Sequence, residues 1–214
     1  RASRTIPYIS KVTNVPMVDL ASKVMVGKRL SSLGFGTGLY KVPPYYAVKV
    51  PVFSFEKLND VNTQLGPEMK STGEVLGIGK TLNEALFKGL TSSGIKVNAK
   101  GDKSEMGVLL SVDEHDLDEI VSIAKKLQDL GINIYAAKDT ARAIVNLGIN
   151  VTYVKGIREG DYCFKLLESG KIKYIVYTGT PLDVVDDFIK LHRRALQLSV
   201  ATLTSIDTAN VLAD

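Results

Sequence analysis

Between residues 105 and 214, apolar and polar positions alternate in blocks of two kinds. Met106–Val112 (MGVLLSV) is a continuous apolar run, as expected of a parallel strand buried on both faces. Asp116–Leu130 follows, with apolar residues at 117, 120, 121, 123, 124, 127 and 130, a helical spacing that Gly131 stops. The alternation continues with a strand over Ile132–Ala136, a helix over Thr140–Leu147 ending at Gly148, a strand over Val151–Val154, and a short helix over Asp161–Glu168 closed by Gly170. A fourth strand over Tyr174–Thr178 leads into a long helix over Pro181–Leu198, then a last strand over Val200–Leu203 and a terminal helix to Ala213. Five strands alternating with helices predict an α/β domain, a five-stranded parallel sheet with helices on both faces. Ligands of such sheets bind beyond the carboxyl ends of the strands. The loops of interest are therefore 112–116, 136–140, 154–161 and 178–181.

The first half is mixed. Pro16–Leu33 reads as an amphipathic helix, Tyr45–Phe55 as a strand and Thr81–Leu90 as a second helix. So little regular pattern predicts a mixed α+β tail that completes a larger domain rather than holding a core of its own. Lys96–Ser104 (KVNAKGDKS) is polar and without either period, which predicts a linker over 96–104 between parts 1–95 and 105–214.

Charge sharpens this division. Residues 1–104 carry 15 Lys and Arg against 7 Asp and Glu, and residues 105–214 carry 12 against 16. The basic residues are scattered singly among apolar ones, without runs or interleaved aromatics, which argues against nucleic acid and for phosphate-bearing metabolites. No stretch of 18 apolar residues predicts a membrane span. The N-terminus has neither an apolar signal core nor an initiating Met, so the chain is expected to begin within a longer protein. A single cysteine, Cys163, leaves no internal disulfide and points to a reducing cytoplasm.

Gly77-Ile78-Gly79-Lys80-Thr81 ends like a phosphate-binding P-loop, but that motif needs Gly five positions before Gly79, where Glu74 stands. Thr81-Leu82-Asn83-Glu84 reads instead as a capping box, with Thr81 as N-cap and Glu84 reaching back to the Thr81 backbone N–H. His115, within Asp113-Glu114-His115-Asp116, reads as a solvated helix start, and His192, beside Arg193 and Arg194, as a residue on an exposed helix face. Two histidines and one cysteine do not make a zinc site of three or four N/S ligands. Cys163 reads as a small packing residue rather than a nucleophile.

Four stretches together carry a resemblance. They are Gly66-Pro67-Glu68-Met69-Lys70-Ser71-Thr72-Gly73-Glu74-Val75-Leu76-Gly77, Arg1-Ala2-Ser3-Arg4-Thr5-Ile6-Pro7, Val15-Pro16-Met17-Val18-Asp19-Leu20-Ala21 and Pro43-Pro44-Tyr45-Tyr46-Ala47-Val48-Lys49. The sequence resembles the C-terminal part of the carbamoyl-phosphate synthase large subunit, closely over residues 1–90 and more loosely over 105–214. That family makes carbamoyl phosphate from bicarbonate, glutamine-derived ammonia and two ATP, for arginine or pyrimidine synthesis, in two ATP-grasp domains. The resemblance implies that residues 1–95 end the second ATP-grasp domain, with Arg1 and Arg4 as catalytic arginines. Guanidinium groups suit that role, binding phosphoryl and carboxylate oxygens as a fork at any working pH. It further implies ATP with magnesium or manganese in the intact enzyme, held by residues upstream of Arg1 and not in this chain. The implied partners are a glutaminase small subunit and the upstream domains, with homo-oligomers through the C-terminal domain.

Residues 105–214 resemble the family's regulatory domain, whose fold is shared with methylglyoxal synthase. In the family a nucleotide monophosphate seats its phosphate on the strand-end loops. Ser111, Thr140, Lys155 and Thr178 are the effector-binding residues this implies. The match departs at Ala137, where a Thr is expected, at Leu117 for a Lys and at Tyr177 for an Asn. Val50 replaces the acidic residue that ornithine activation requires in some members. Two other readings are a lyase of the methylglyoxal synthase kind, for which neither His115 nor His192 falls at a strand end, and a stand-alone regulatory module with no catalytic role.

Overall fold

The strand β3 (Gly107–Ser111) is built from the longest apolar run of the second half, and it occupies the centre of that half's sheet. The structure, a computed structural model, describes residues 5–35, 37–57, 63, 67–95, 105–155, 161–179 and 185–214. Arg1, Arg4 and the predicted linker 96–104 lie outside the described residues. The chain divides into two units, one of Arg1–Val52 with Ser71–Gly94, the other of Phe53–Lys70 with Ile95–Asp214.

In the second unit, β3 is followed by α4 (Leu117–Asp129), β4 (Asn133–Ala137), α5 (Lys138–Val145), β5 (Thr152–Val154), α6 (Tyr162–Glu168), β6 (Ile172–Tyr177), α7 (Val185–Gln197), β7 (Ala201–Leu203) and α8 (Ile206–Ala213). The five strands pair in parallel in the order β5-β4-β3-β6-β7, as the alternating pattern predicts. Alternate residues of β3 feed two cores. Val108 and Leu110 join Ile120, Ile123, Leu127, Ile144 and Leu203 on the face covered by α4, α5 and α8. Leu109 joins Cys163, Leu167, Ile175, Leu191 and Ala195 on the face covered by α6 and α7. Both faces of the central strand are thus dry, which is why it reads as an unbroken apolar run. Gly131 takes φ +75, so it ends α4 without the penalty a Cβ would bring.

In the first unit, α1 (Thr5–Thr13) and α2 (Met17–Met25) precede β1 (Tyr46–Val52), β2 (Gly73–Gly79) and α3 (Leu82–Ser92). The predicted helix over 16–33 is shorter than its apolar spacing suggests. Gly27 adopts φ +94 and Lys28 N–H donates to Lys23 C=O at 3.0 Å, a left-handed closure that stops α2, and only a separate 3-10 turn follows at Leu30–Leu33. The predicted strand over 45–55 ends at Val52. β2, absent from the sequence expectations, pairs antiparallel with β1, from Tyr46↔Gly79 to Val52↔Gly73. Its sequence GEVLGIG hides the strand because three glycines break the β-branched pattern.

Those glycines have a packing reason. A Cβ on Gly77 would sit 1.9 Å from the Ala85 carbonyl oxygen and 2.6 Å from Gly89 N, and one on Gly79 would sit 2.6 Å from Ala85 N. A Cβ on Gly89 would meet Val50 Cγ2 at 2.7 Å. The Gly-Ile-Gly stretch therefore lets α3 lie directly on the strand pair. Thr81 caps α3 as predicted, its hydroxyl accepting from Glu84 N–H at 3.2 Å. The return arm differs by one residue: the Glu84 carboxylate accepts from Lys80 N–H at 2.7 Å, not from Thr81.

Candidate functional site

The order β5-β4-β3-β6-β7 places its switch point between β3 and β6, where the chain leaves β3 toward β4 and later returns on the other side. Ser111 and Tyr177 are register partners at that point, and Thr178 N–H donates to Ser111 C=O at 3.3 Å. The loops after β3 and β6 therefore meet at the carboxyl edge of the sheet.

Three of the four implied effector residues converge there. Thr140, in the first turn of α5 and 2% exposed, accepts a hydrogen bond from Val112 N–H at 3.1 Å. Thr178 Oγ1 accepts from Asp113 N–H at 3.2 Å and donates to the Asp116 carboxylate. Both hydroxyls thus tie down the 112–116 loop from opposite sides. Lys155 stands at the end of β5 with an exposed side chain, and its carbonyl accepts from the Cys163 thiol at 3.2 Å. Ala137 is the N-cap of α5 and offers no capping side chain. Leu117 opens α4 and contributes no charge.

The sequence reading missed Asp116 as part of this edge. It lies in an acidic loop with Asp113 and Glu114, and a carboxylate bound to Thr178 opposes an incoming anion. Only the fold, which brings residues 62 apart together, shows the pairing.

The Tyr177 ring packs onto α7. It stacks on Phe188 with centroids 4.5 Å apart at 29°, and a Cβ on Gly179 would meet its hydroxyl at 3.2 Å. Phe188 stacks in turn on His192 at 5.4 Å and 22°. His192 is therefore not on an exposed face, as the flanking arginines suggested. Its Nδ1 lies 3.0 Å from Thr63 Oγ1 in a shared hydrogen bond, and burial pushes the imidazole below its ordinary value. Helical position within one turn separates it from exposed Arg193.

His115 is exposed, with its backbone N–H donating to the Asp113 carboxylate at 3.1 Å, as a helix start should. Cys163 is buried in the α6 core, and burial raises its thiol above the usual value, consistent with packing rather than nucleophilic work. No helix among the described residues is long and apolar enough to cross a membrane.

A family model described as an MGS-like domain matches residues 119–204. Over its whole length the chain is 44% identical to a carbamoyl phosphate synthase large chain of Clostridium botulinum (strain Langeland), covering 20% of that protein. It is 44% identical over 99% of its length to the large chain of Lachnoclostridium phytofermentans, and 44% identical over 97% to that of Caldanaerobacter subterraneus, covering 20% and 19% of those proteins. The chain spans about a fifth of the length of these curated relatives. A crystal structure of methylglyoxal synthase from Elizabethkingia anophelis overlays with a TM-score of 0.42 and 20% identity, covering 52% of this chain and 78% of that one. The resemblance to carbamoyl-phosphate synthase large chains therefore holds from one end of the chain to the other, with an MGS-like domain in the second half.

Proposed function

From that end-to-end likeness, we propose that the chain works as part of a carbamoyl-phosphate synthase large subunit, with residues 105–214 as its regulatory domain. The single observation that carries this is 44% identity over the whole chain to large chains so named. In the intact subunit, residues 1–95 complete the second ATP-grasp domain, with Arg1 and Arg4 toward the phosphoryl groups. The partners are a glutaminase small subunit supplying ammonia and the remaining domains of the large chain; the compartment is the cytoplasm. ATP and its magnesium are bound elsewhere in the subunit. Among the described residues no three His, Cys, Asp or Glu side chains stand together to hold a metal ion. Purified alone, the 214 residues should form no carbamoyl phosphate from bicarbonate, ammonia and ATP.

The strand-end edge supports a weakened nucleotide site. Ser111, Thr140, Lys155 and Thr178 are the groups available to an effector phosphate, but Thr178 already gives its proton to Asp116, while Thr140 accepts from Val112 N–H and keeps its own proton to donate. Leu117, Ala137 and Tyr177 remove three donors that the family's site implies, each charge-assisted bond contributing about 1.5–3 kcal/mol. At the low end the combined loss is on the order of 4 kcal/mol, roughly a thousandfold in affinity. Such an enzyme suits control by expression, as in arginine synthesis. Calorimetric titration of uridine and inosine monophosphates into the 214-residue chain should show no saturation in the micromolar range. A low-micromolar dissociation constant for either nucleotide overturns this reading of the site.

A further inference from the structure

The loop after β3 spends its backbone donors on the protein itself. Val112 N–H donates to the Thr140 hydroxyl at 3.1 Å, and Asp113 N–H to Thr178 Oγ1 at 3.2 Å. His115 N–H goes to the Asp113 carboxylate at 3.1 Å and Asp116 N–H to the Asp113 carbonyl at 3.0 Å. Backbone N–H groups of a strand-end loop are common phosphate donors. Here these four already have acceptors within the chain.

Thr178 is committed in the same way. A threonine hydroxyl has one proton to give. Thr178 gives it to Asp116 Oδ2, while its oxygen accepts from Asp113 N–H. A phosphate oxygen seeking that proton meets a carboxylate already bound to it, and like charges in contact repel.

Asp116 reaches Thr178 at the expense of its own helix. It occupies the N-cap of α4, where an aspartate ordinarily accepts from N–H groups of the first turn, yet its side chain makes no capping bond. It is half-buried, whereas Glu114 and His115 before it are exposed. A local preference is set aside for a partner 62 residues away.

We infer that Asp116 is a latch: its carboxylate stands where an effector phosphate would meet Thr178 and closes that seat until it is withdrawn. The inference rests on the strand-end effector reading proposed above. It adds a cause of weak binding separate from the donors missing at Leu117, Ala137 and Tyr177, and one that a single substitution undoes. The chemistry excluded is the phosphate group itself, whether free or carried on a nucleoside.

The test uses the full 214-residue chain, titrated with inorganic phosphate at fixed pH and ionic strength and followed by NMR at the amides of Val112, Asp113 and Thr178. Asp116→Ala frees the Thr178 proton and removes the charge, so phosphate should bind about tenfold more tightly than to wild type, the scale of one charge-assisted hydrogen bond. Asp116→Asn keeps the shape and an acceptor for Thr178 while removing the charge, and should gain about threefold, which keeps the test open if the alanine variant folds poorly. Glu114→Gln removes one charge from an exposed position of the same loop and should change the affinity by less than about twofold. In Asp116→Ala with Thr178→Val the gain should vanish, because the freed hydroxyl is the group phosphate binds. Uridine monophosphate should show the same gain as inorganic phosphate.

The latch is overturned if neither Asp116 variant binds phosphate more tightly than wild type, if Glu114→Gln gains as much as Asp116→Ala, or if the double variant keeps the gain. A gain for uridine monophosphate without one for inorganic phosphate belongs to the nucleoside and overturns it as well. The effector reading fails separately, through tight nucleotide binding by wild type, since the latch is read from the ratio of variant to wild type.

Discussion

The two units differ most in what their apolar residues touch. In the second, Leu110, Ile120, Ile144 and Ile175 are 0% exposed, and both faces of the sheet are covered by helices of the same chain. In the first, neither α1 nor α2 buries a residue, while Met25 is 86% exposed, Val42 90% and Leu39 fully exposed. The amphipathic pattern of α2 is as real as that of α4, yet α2, which packs on α1, buries none of its residues. Amphipathicity states that a face will be covered; it does not state by what. The second unit has the complete core that stability demands of a domain of its size.

Truncating the core sharpens this contrast most. Leu110→Ala or Ile175→Ala should destabilise the second unit by about 2–5 kcal/mol, the range for fully buried large-to-small changes. Val42→Ala should stay within about 0.5 kcal/mol of wild type. Urea unfolding followed by tyrosine fluorescence and far-UV dichroism separates the two outcomes. A cost for Val42→Ala comparable to that for Leu110→Ala would break the comparison.

Gly77→Ala is the corresponding attack on the first unit. The new methyl would sit 1.9 Å from the Ala85 carbonyl oxygen, which belongs to helix backbone and cannot swing aside. Overpacking of this kind costs about 1–3 kcal/mol. Hydrogen exchange should show lost protection in β1, β2 and α3, with protection in β3 and β6 retained. Equal loss in both sheets would mean that the units do not open separately.

The smallest effect is the pH dependence of His192. Burial lowers its folded-state pKa, so between the folded and unfolded values the unfolded chain binds more protons. Stability is full above the unfolded imidazole value of about 6.5, falls as pH drops through it, and levels off below the folded value. Comparing wild type with His192→Gln in denaturant titrations from neutral to mildly acidic pH isolates this contribution. An identical slope in the two chains would place the imidazole in solvent.

How much was legible follows the range of the interactions involved. Strand and helix periods over 106–213 were plain because they arise from residues one to four apart, and a buried parallel sheet imposes them on every strand. The N-cap at Thr81 was plain for the same reason, since its partner is three residues away. Helix α2 was overestimated because the apolar spacing runs on past Gly27, whose left-handed backbone is a single-residue event. β2 was missed because its glycines answer to α3, a helix the strand pattern does not mention.

The sequence alone determined the parallel α/β architecture of the second half, the absence of a P-loop, the packing role of Cys163 and the likeness to a known family. Only the tertiary structure decided that Gly77 and Gly79 serve helix packing, that Thr140 and Thr178 are bonded to the loop they flank, and that His192 is partnered. The Thr178–Asp116 bond joins residues 62 apart and the His192–Thr63 bond residues 129 apart. Such partners are selected by which surfaces the sheet and helices bring into contact, and no local period records that choice.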